Sequence, residues 1–417
     1  MKNIKFICSL LCAIILFTSG LHAQDIKQKD GYYTTIITKS FKVKSGGMLD
    51  VRVANGYYNV QGWEKQEVAI EELIRTDVYS EEEAELTIAR SKSEYQQDGG
   101  DVRVFSRGGD HAVFHSFTIK LPNKYDIKLK TSRGDVDIKD VAGDLNLNTA
   151  GGEIRVNRCG GKVDARTSGG DIEIENSNAT LEIHASGGDI KIETVDGDIN
   201  ASTSGGDIDL INTKQSARIR TSGGDLIIRN AQGNIRGSTS GGSITAINCA
   251  KDIKINTSGG NIELQNIGGS IDASTSGGDI EGENLRGPSE LATSGGDVEI
   301  KQVQNSIQAK TMGGSIEVEM TVSDFSRTYT VDLVTVSGDL ELEIPEKMAT
   351  SIQAEIRLDR NRRYWKRYDI LSDFPLTKKT TNDNQQPALV SEGEINGGGS
   401  TIYLSTSNGN ITLKKAK

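Results

Sequence analysis

The stretch Asp171–Gly188, DIEIENSNATLEIHASGG, decides the fold. Ile172 and Ile174 alternate with Glu173 and Glu175, a turn follows at Asn176-Ser177-Asn178, and Leu181 and Ile183 then alternate with Glu182 and His184. Alternation of period two, bounded by Gly, Ser and Asn, is a strand signal and not a helical one. Ser186-Gly187-Gly188 closes the unit. The same small-Gly-Gly-polar corner begins at Ser132 (where it reads Ser-Arg-Gly-Asp), Ala150, Ser168, Ser186, Ser204, Ser222, Ser240, Ser258, Ser276, Ser294 and Met312, without an insertion or deletion. Self-similarity at one fixed period marks a solenoid, in which each repeat is a turn stacked on its neighbours. The expected fold class is all-β: a single parallel β-solenoid of two sheets with 18-residue coils.

Working outward, the columns of equivalent residues specify the register. The Ile172 column holds Val136, Ile154, Ile190, Ile208, Leu226, Ile244, Ile262, Ile280, Val298 and Ile316; the Leu181 column holds Ile127, Leu145, Val163, Ile199, Ala217, Ile235, Ile253, Ile271 and Ile307, with Ser289 the exception. A slip of one residue would turn either set to solvent. The paired glycines suit a corner that needs either positive φ or close backbone approach. Ahead of the corner runs a column of threonines, from Thr131 and Thr149 to Thr293 and Thr311, broken only by Ala185. Outward threonine ladders serve ice-binding solenoids, but by parity with Leu181 and Ile183 this column points inward, where hydroxyls bond to backbone. The asparagine column (Asn176, Asn212, Asn230, Asn248, Asn266, Asn284) reads as a hydrogen-bonded corner ladder.

Both flanks differ from the array. Lys2 and Lys5, the apolar run Phe6–Phe17 and Leu21-His22-Ala23 predict a secretory signal over 1–23, with Cys8 and Cys12 upstream of the cut. Residues 24–122 are expected to form a mixed N-terminal cap, with irregular strands over Phe41–Val53, Val68–Ile74, Val102–Phe105 and Phe117–Leu121. A helix is expected from Ser80, where Ser80 and Glu83 make a capping box. Asn55-Gly56 through Gly62-Trp63 resembles a degenerate coil. The solenoid spans 123–320; a C-terminal continuation and β cap span 321–417, with a polar loop excursion near 357–387 and a return to coil structure around Ile402, Leu404 and Ile411.

Charge and cysteine content bound the partners. The formal charge is −10, and loss of Lys2 and Lys5 with the signal makes it −12, which disfavours nucleic acid and anionic lipid. No apolar stretch after the signal could span a membrane. Cys159 and Cys249 lie five periods apart, roughly 24 Å at about 4.8 Å per coil, too far for a disulfide, and read as small buried hydrophobes.

The export signal, the mixed cap, the Thr-Ser-Gly-Gly-Asp-Ile coils and the terminal Gly-Gly-Gly-Ser-Thr-Ile with Asn-Gly-Asn-Ile together resemble the bacterial "putative adhesin" family, a β-strand-repeat domain of unknown molecular function. The match covers nearly the whole mature chain. It implies the solenoid and a surface or periplasmic role, and supplies no catalytic residues.

Each candidate site has a purely structural alternative. The Gly-Gly-Asp corners lack the second glycine and later aspartate of a calcium nonapeptide, so a solvated turn is favoured over a calcium site. Arg133-Gly134-Asp135 matches a cell-attachment tripeptide but sits in the corner register, which favours coincidence. His111 and His115 have no Cys or acidic partner at ligand spacing, and a loop is expected there. No nucleophile–base pairing stands out, so no enzyme, no metal and no cofactor are expected. The outward faces differ in charge. One is acidic through residues such as Glu173, Glu263, Glu281, Glu299 and Glu317. The other tilts basic through Lys128, Lys130, Arg166, Arg218, Arg220, Arg236 and Lys254. The residues picked for partner binding are Arg166, Arg218, Arg220, Arg236 and Lys254, with Tyr364, Trp365 and Tyr368 from the densest aromatic segment of the mature chain. The expected function is an exported, non-catalytic, adhesin-like scaffold in the periplasm, at the cell surface or outside the cell, meeting a protein or glycan of the envelope. The alternative is a carbohydrate-binding or polysaccharide-processing protein.

Overall fold

A computed structural model describes residues 26–106, 113–358, 367–381 and 387–416. The expected signal, His111, Tyr364 and Trp365 lie outside these residues.

The repeats wind into two parallel sheets. In the first, Ile172 lies opposite Ile154 on one side and Ile190 on the other; in the second, Leu181 lies opposite Val163 and Ile199. The pairing steps by one repeat per rung through the whole array, so each aliphatic column becomes a buried stack. Ile172, Ile174, Leu181 and Ile183 are sealed between the sheets, and a single apolar core runs unbroken from Val43 to Leu413. Ser289, the odd member of its column, is buried and donates its hydroxyl to the Gly287 carbonyl at 3.2 Å.

The corners separate the two roles offered for glycine. The second glycine of each pair is placed by close approach: a Cβ on Gly170 would stand 2.1 Å from the Gly152 carbonyl oxygen, and one on Gly188 2.0 Å from that of Gly170. These glycines do not have positive φ. Left-handed backbone falls instead on the opposite corner, at the asparagine column, where Asn212, Asn230 and Asn248 have φ of 54°, 56° and 57°. Asparagine tolerates that region better than other side chains. Its amide also stacks: Asn230 Nδ2 donates to Asn212 Oδ1 at 2.9 Å, and Asn248 Nδ2 to Asn230 Oδ1 at 3.0 Å.

The threonine column is inward and buried, and each hydroxyl clamps two coils. Thr239 Oγ1 donates to the Gly224 carbonyl of the preceding coil at 2.8 Å and accepts from Gly242 N–H at 3.3 Å. The column continues beyond the regular repeats through Thr335 and Thr406, which donate to the Gly314 and Gly338 carbonyls.

Both ends of the rod share a topology that the repeat does not announce. At the N-terminal end Met48–Arg52 lies between Asp126–Lys130 and Asp101–Phe105, while Gly56–Trp63 lies between Val136–Lys139 and Val113–Pro122. The degenerate coil is thus a genuine rung, and the later segment sits outside it. At the other end Ser400–Thr406 and Ile411–Ala416 are interposed between the coil Thr330–Pro345 and the outer strands Thr350–Arg357 and Ile370–Ser372. Antiparallel strands then close the stack: Tyr32–Lys42 and Glu67–Thr76 at one end, Ala388–Ile395 and Thr377–Thr381 at the other. A parallel stack has open edges, and the short last strand with Lys378 and Lys379 is an edge that resists further pairing.

Three local expectations are corrected. The segment 357–387 is not a simple loop, because Ile370–Ser372 and Thr377–Thr381 within it are paired strands. Phe41–Val53 is two strands, broken after Lys42 by a turn in which Gly46 has φ of 84°. His115 is not in a loop. It lies buried in the strand Val113–Pro122, with Nδ1 2.7 Å from Glu72 Oε1. The helix Glu81–Ser91 does start at Ser80, whose hydroxyl accepts from Glu83 N–H at 3.2 Å, while the Glu83 carboxylate reaches back to Tyr79 N–H.

Candidate docking face

Most polar side chains that repeat along the rod are consumed in holding one coil to the next. The aspartate after each Gly-Gly pair is a backbone acceptor: Asp171 Oδ1 takes the Asp189 N–H at 2.8 Å, Asp189 Oδ1 that of Asp207 at 2.8 Å, and Asp207 Oδ1 that of Asp225 at 2.7 Å. Ser243 and Asn261 continue the ladder with their own side-chain oxygens, which explains why the column can lose its charge without breaking. Asp135 of the Arg-Gly-Asp tripeptide belongs to the same ladder, accepting from Glu153 N–H at 2.9 Å. Its Gly134 is pressed against the Gly56 carbonyl. Among the described residues no group of three or more His, Cys, Asp or Glu is placed to hold a metal ion.

The cysteines occupy the inward corner column, unpaired and buried, and burial pushes both thiols up to about 11. Glu72, fully buried in the cap, is satisfied by Ser93 Oγ at 2.6 Å, by His115, and by the Tyr95 hydroxyl. Burial there lifts the Tyr95 phenol well above its ordinary range, with the Glu72 charge adding to the effect. The residue types are those of a catalytic group, but Glu72, Ser93 and His115 are sealed from solvent, Tyr95 is half-buried, and the other three all bond to Glu72.

What remains free is outward. Every strand of the second sheet presents two outward side chains per rung, and the register stacks them in two columns. One reads Asp164, Glu182, Asn200, Arg218, Arg236, Lys254, Asp272, Glu290; the other reads Arg166, His184, Ser202, Arg220, Ser238, Asn256, Ser274, Ala292. Arg166 is tied to Asp164 on its own strand at 2.9 Å, and Lys254 to Asp272 on the next rung. Arg218, Arg220 and Arg236 are exposed and have no ion pair among the described residues. Arg218 and Arg236 are direct cross-strand neighbours, a juxtaposition of like charges that destabilises a sheet unless something offsets it.

Cations on the first sheet are mostly neutralised nearby. Lys191 contacts Glu173, Glu175 and Glu193 within 3.3 Å, and their hydrogen bonds raise its pKa strongly; Lys301 contacts Glu299 at 2.6 Å. That sheet is acidic toward its C-terminal half, where Glu263, Glu281, Glu299, Glu317 and Glu341 stack in one column.

The aromatic expectation shifts. Tyr368 packs partly buried against the core with Arg367 over its ring, so it is not a free contact residue. An exposed aromatic cluster does exist, on the outer face of the N-terminal cap. Tyr57 and Phe114 rings lie 4.8 Å apart, and the Arg75 guanidinium sits 4.6 Å from Tyr32 and 5.5 Å from Phe114, beside exposed Ile36 and Leu73. These residues are scattered over the cap sequence. Only strand pairing assembles them, so no local motif could have revealed the cluster.

Among the described residues no helix is long and apolar enough to cross a membrane. A family model described as Toastrack DUF4097 matches residues 71–248 and 224–414. Two solved structures are similar over 91% of this chain. One is a "putative cell adhesion protein" from Clostridium sporogenes, 8% identical, with 100% of that chain covered and a TM-score of 0.15. The other is a "putative adhesin" from Bacteroides fragilis, 12% identical, with 97% of that chain covered and a TM-score of 0.16. No curated protein matches the chain.

Proposed function

The chain belongs to the Toastrack DUF4097 family, and on that premise we propose that it is an exported, non-catalytic, adhesin-like scaffold of the cell envelope. The observation that carries the reading is the division of labour among its polar side chains. The Thr, Asp and Asn columns are committed to inter-coil hydrogen bonds, and the uncommitted groups lie on flat outward faces rather than in a cleft. A stiff rod with flat charged faces presents a partner surface; it does not desolvate a reacting bond. Sheet-face recognition of this kind works by electrostatic complementarity. Of the described residues expected to meet a partner, Arg218, Arg220 and Arg236 are in no ion pair, and Lys254 is reachable by exchange of its Asp272 contact.

Location and chemistry are tested separately. Fractionation of cells producing the chain, followed by protease treatment of intact cells, should place it outside the cytoplasm with residues 1–23 removed. A strictly cytoplasmic, unprocessed chain overturns the export reading. The purified mature chain incubated with a panel of polysaccharides should release no reducing ends; turnover of any of them favours polysaccharide processing instead.

A further inference from the structure

We infer that the second sheet carries a short acidic-oligosaccharide site, with Arg218, Arg236 and Lys254 as its charged edge and Ser238, Asn256 and Ser274 as its neutral edge, headed by a fourth cation, Arg220. The inference rests on the scaffold reading above and names the ligand that one face of it would take.

The two columns differ in chemistry and run side by side. Arg218, Arg236 and Lys254 occupy three successive rungs of one column, so their charges repeat at the strand spacing of about 4.8 Å. Beside them, the other column offers Arg220, then Ser238, Asn256 and Ser274 on the following rungs. The last three side chains make no hydrogen bond to any described residue; Asn256 is exposed, and Ser238 and Ser274 are half-buried. A chain lying along the rod axis, across the rungs, would therefore meet cations on one edge and, beyond Arg220, hydroxyl or amide groups on the other. A linear acidic sugar has that distribution, with an anionic group projecting from each unit and hydroxyls elsewhere on the ring. An extended acidic peptide would use the cations and leave the serines and asparagine idle.

The strip has ends. Glu182 lies two rungs before Arg218 in the charged column, and Asp272 and Glu290 lie on the rungs after Lys254. Three cationic rungs span on the order of 10 Å, so the site suits a few sugar units and gains nothing further from a uniformly charged chain that runs past it. Unpaired guanidinium groups make the charge available without first breaking a protein ion pair, and guanidinium is weakly hydrated and shaped to grip a carboxylate or sulfate by two bonds.

The test is calorimetric titration of the mature chain with oligogalacturonates of one to six units and with heparin-derived oligosaccharides, which separate carboxylate from sulfate as the anion. Neutral galacto-oligosaccharides and poly-glutamate peptides of matched charge serve as comparison ligands. Affinity for an acidic series should rise to about three or four units and then level, and should weaken as salt is added. The double variant Arg218→Gln/Arg236→Gln should lose at least tenfold in affinity. Ser238→Ala/Asn256→Ala should lose a few-fold, and Lys191→Gln, on the first sheet and held by Glu173, Glu175 and Glu193, should bind as the parent does. Unchanged binding by the arginine double variant overturns the site. Poly-glutamate binding as tightly as the sugars overturns the sugar assignment, and absence of binding to both acidic series overturns the inference as a whole. None of these outcomes alters where the protein is found in the cell, so failure here and failure of the scaffold reading are told apart.

Discussion

Replacing Gly224 by alanine tests the stacking of the corners most directly. Its added Cβ would stand 2.1 Å from the Gly206 carbonyl oxygen, 2.4 Å from the Gly206 carbonyl carbon and 2.5 Å from Asp207 Oδ1. Relaxed carbon–oxygen contacts lie near 3.3 Å, so the two coils must part locally by about 1 Å. The obstacle is backbone, which cannot swing aside as a side chain would. Separation on that scale stretches the Gly223 N–H bond to the Ser204 carbonyl (3.1 Å) and the Asp225 N–H bond to Asp207 Oδ1 (2.7 Å). Two weakened hydrogen bonds, at about 1 kcal/mol each, add to an overpacking cost of about 1–3 kcal/mol, giving about 3–5 kcal/mol. Gly223→Ala is the matched control, because its nearest contact would be 3.3 Å, and it should cost under about 1 kcal/mol. Urea titration followed by far-ultraviolet circular dichroism measures both. Because a solenoid transmits strain only between neighbouring coils, hydrogen exchange should locate the Gly224 damage in coils 200–240. Equal effects from the two substitutions would refute the claim that close approach, rather than backbone conformation, selects glycine at this position.

Other outcomes follow from the ladders and the thiols. Thr239→Val keeps the volume but removes the hydroxyl that joins Gly224 O to Gly242 N–H; it should cost about 1–3 kcal/mol, and Thr239→Ser should recover most of that in the same urea assay. Asn248→Ala should destabilise by about 1–2 kcal/mol through its positive φ and the lost amide bonds, whereas Asn248→Gly keeps the backbone accessible and should cost less. With the Cys159 and Cys249 thiols pushed up to about 11 by burial, the folded state disfavours the thiolate. Their contribution is fully present below the unfolded thiol pKa, near 8.5, and declines as pH rises from there through about 11. A thiol reagent at pH 8 should therefore label neither cysteine in the native chain and both after denaturation. Stability measured in Cys159→Ala/Cys249→Ala should fall less between pH 8 and 10 than in the parent.

The reading of Asp171–Gly188 reached far because the fold is a translation. Residues one period apart become neighbours across a rung, so a column in the text is a physical stack. The burial of Ile172 and Leu181, the inward threonines and the asparagine ladder were all legible for that reason. The offer of two roles for the glycine pair could not be resolved in the text, since composition does not distinguish a positive φ from a missing Cβ that makes room for a carbonyl.

Where the period fails, so does legibility. Asn410 N–H reaches Asp339 Oδ1 across a separation of 71 residues, and Tyr58 pairs with Val136; neither separation is a multiple of the 18-residue period. The caps, the interposed terminal coils, the burial of His115 against Glu72, and the Tyr57–Phe114 cluster all depend on such contacts. The candidate site divides in the same way. Its cationic column could be read from spacing alone. Which cations are free was settled by the pairing, because Arg166 and Arg220 share one column and differ in whether a carboxylate lies within reach. Periodicity determined the coil and its interior, since both are set by neighbours that recur. Three-dimensional pairing decided the ends and the chemistry left over on the surface, since both are set by neighbours that occur once.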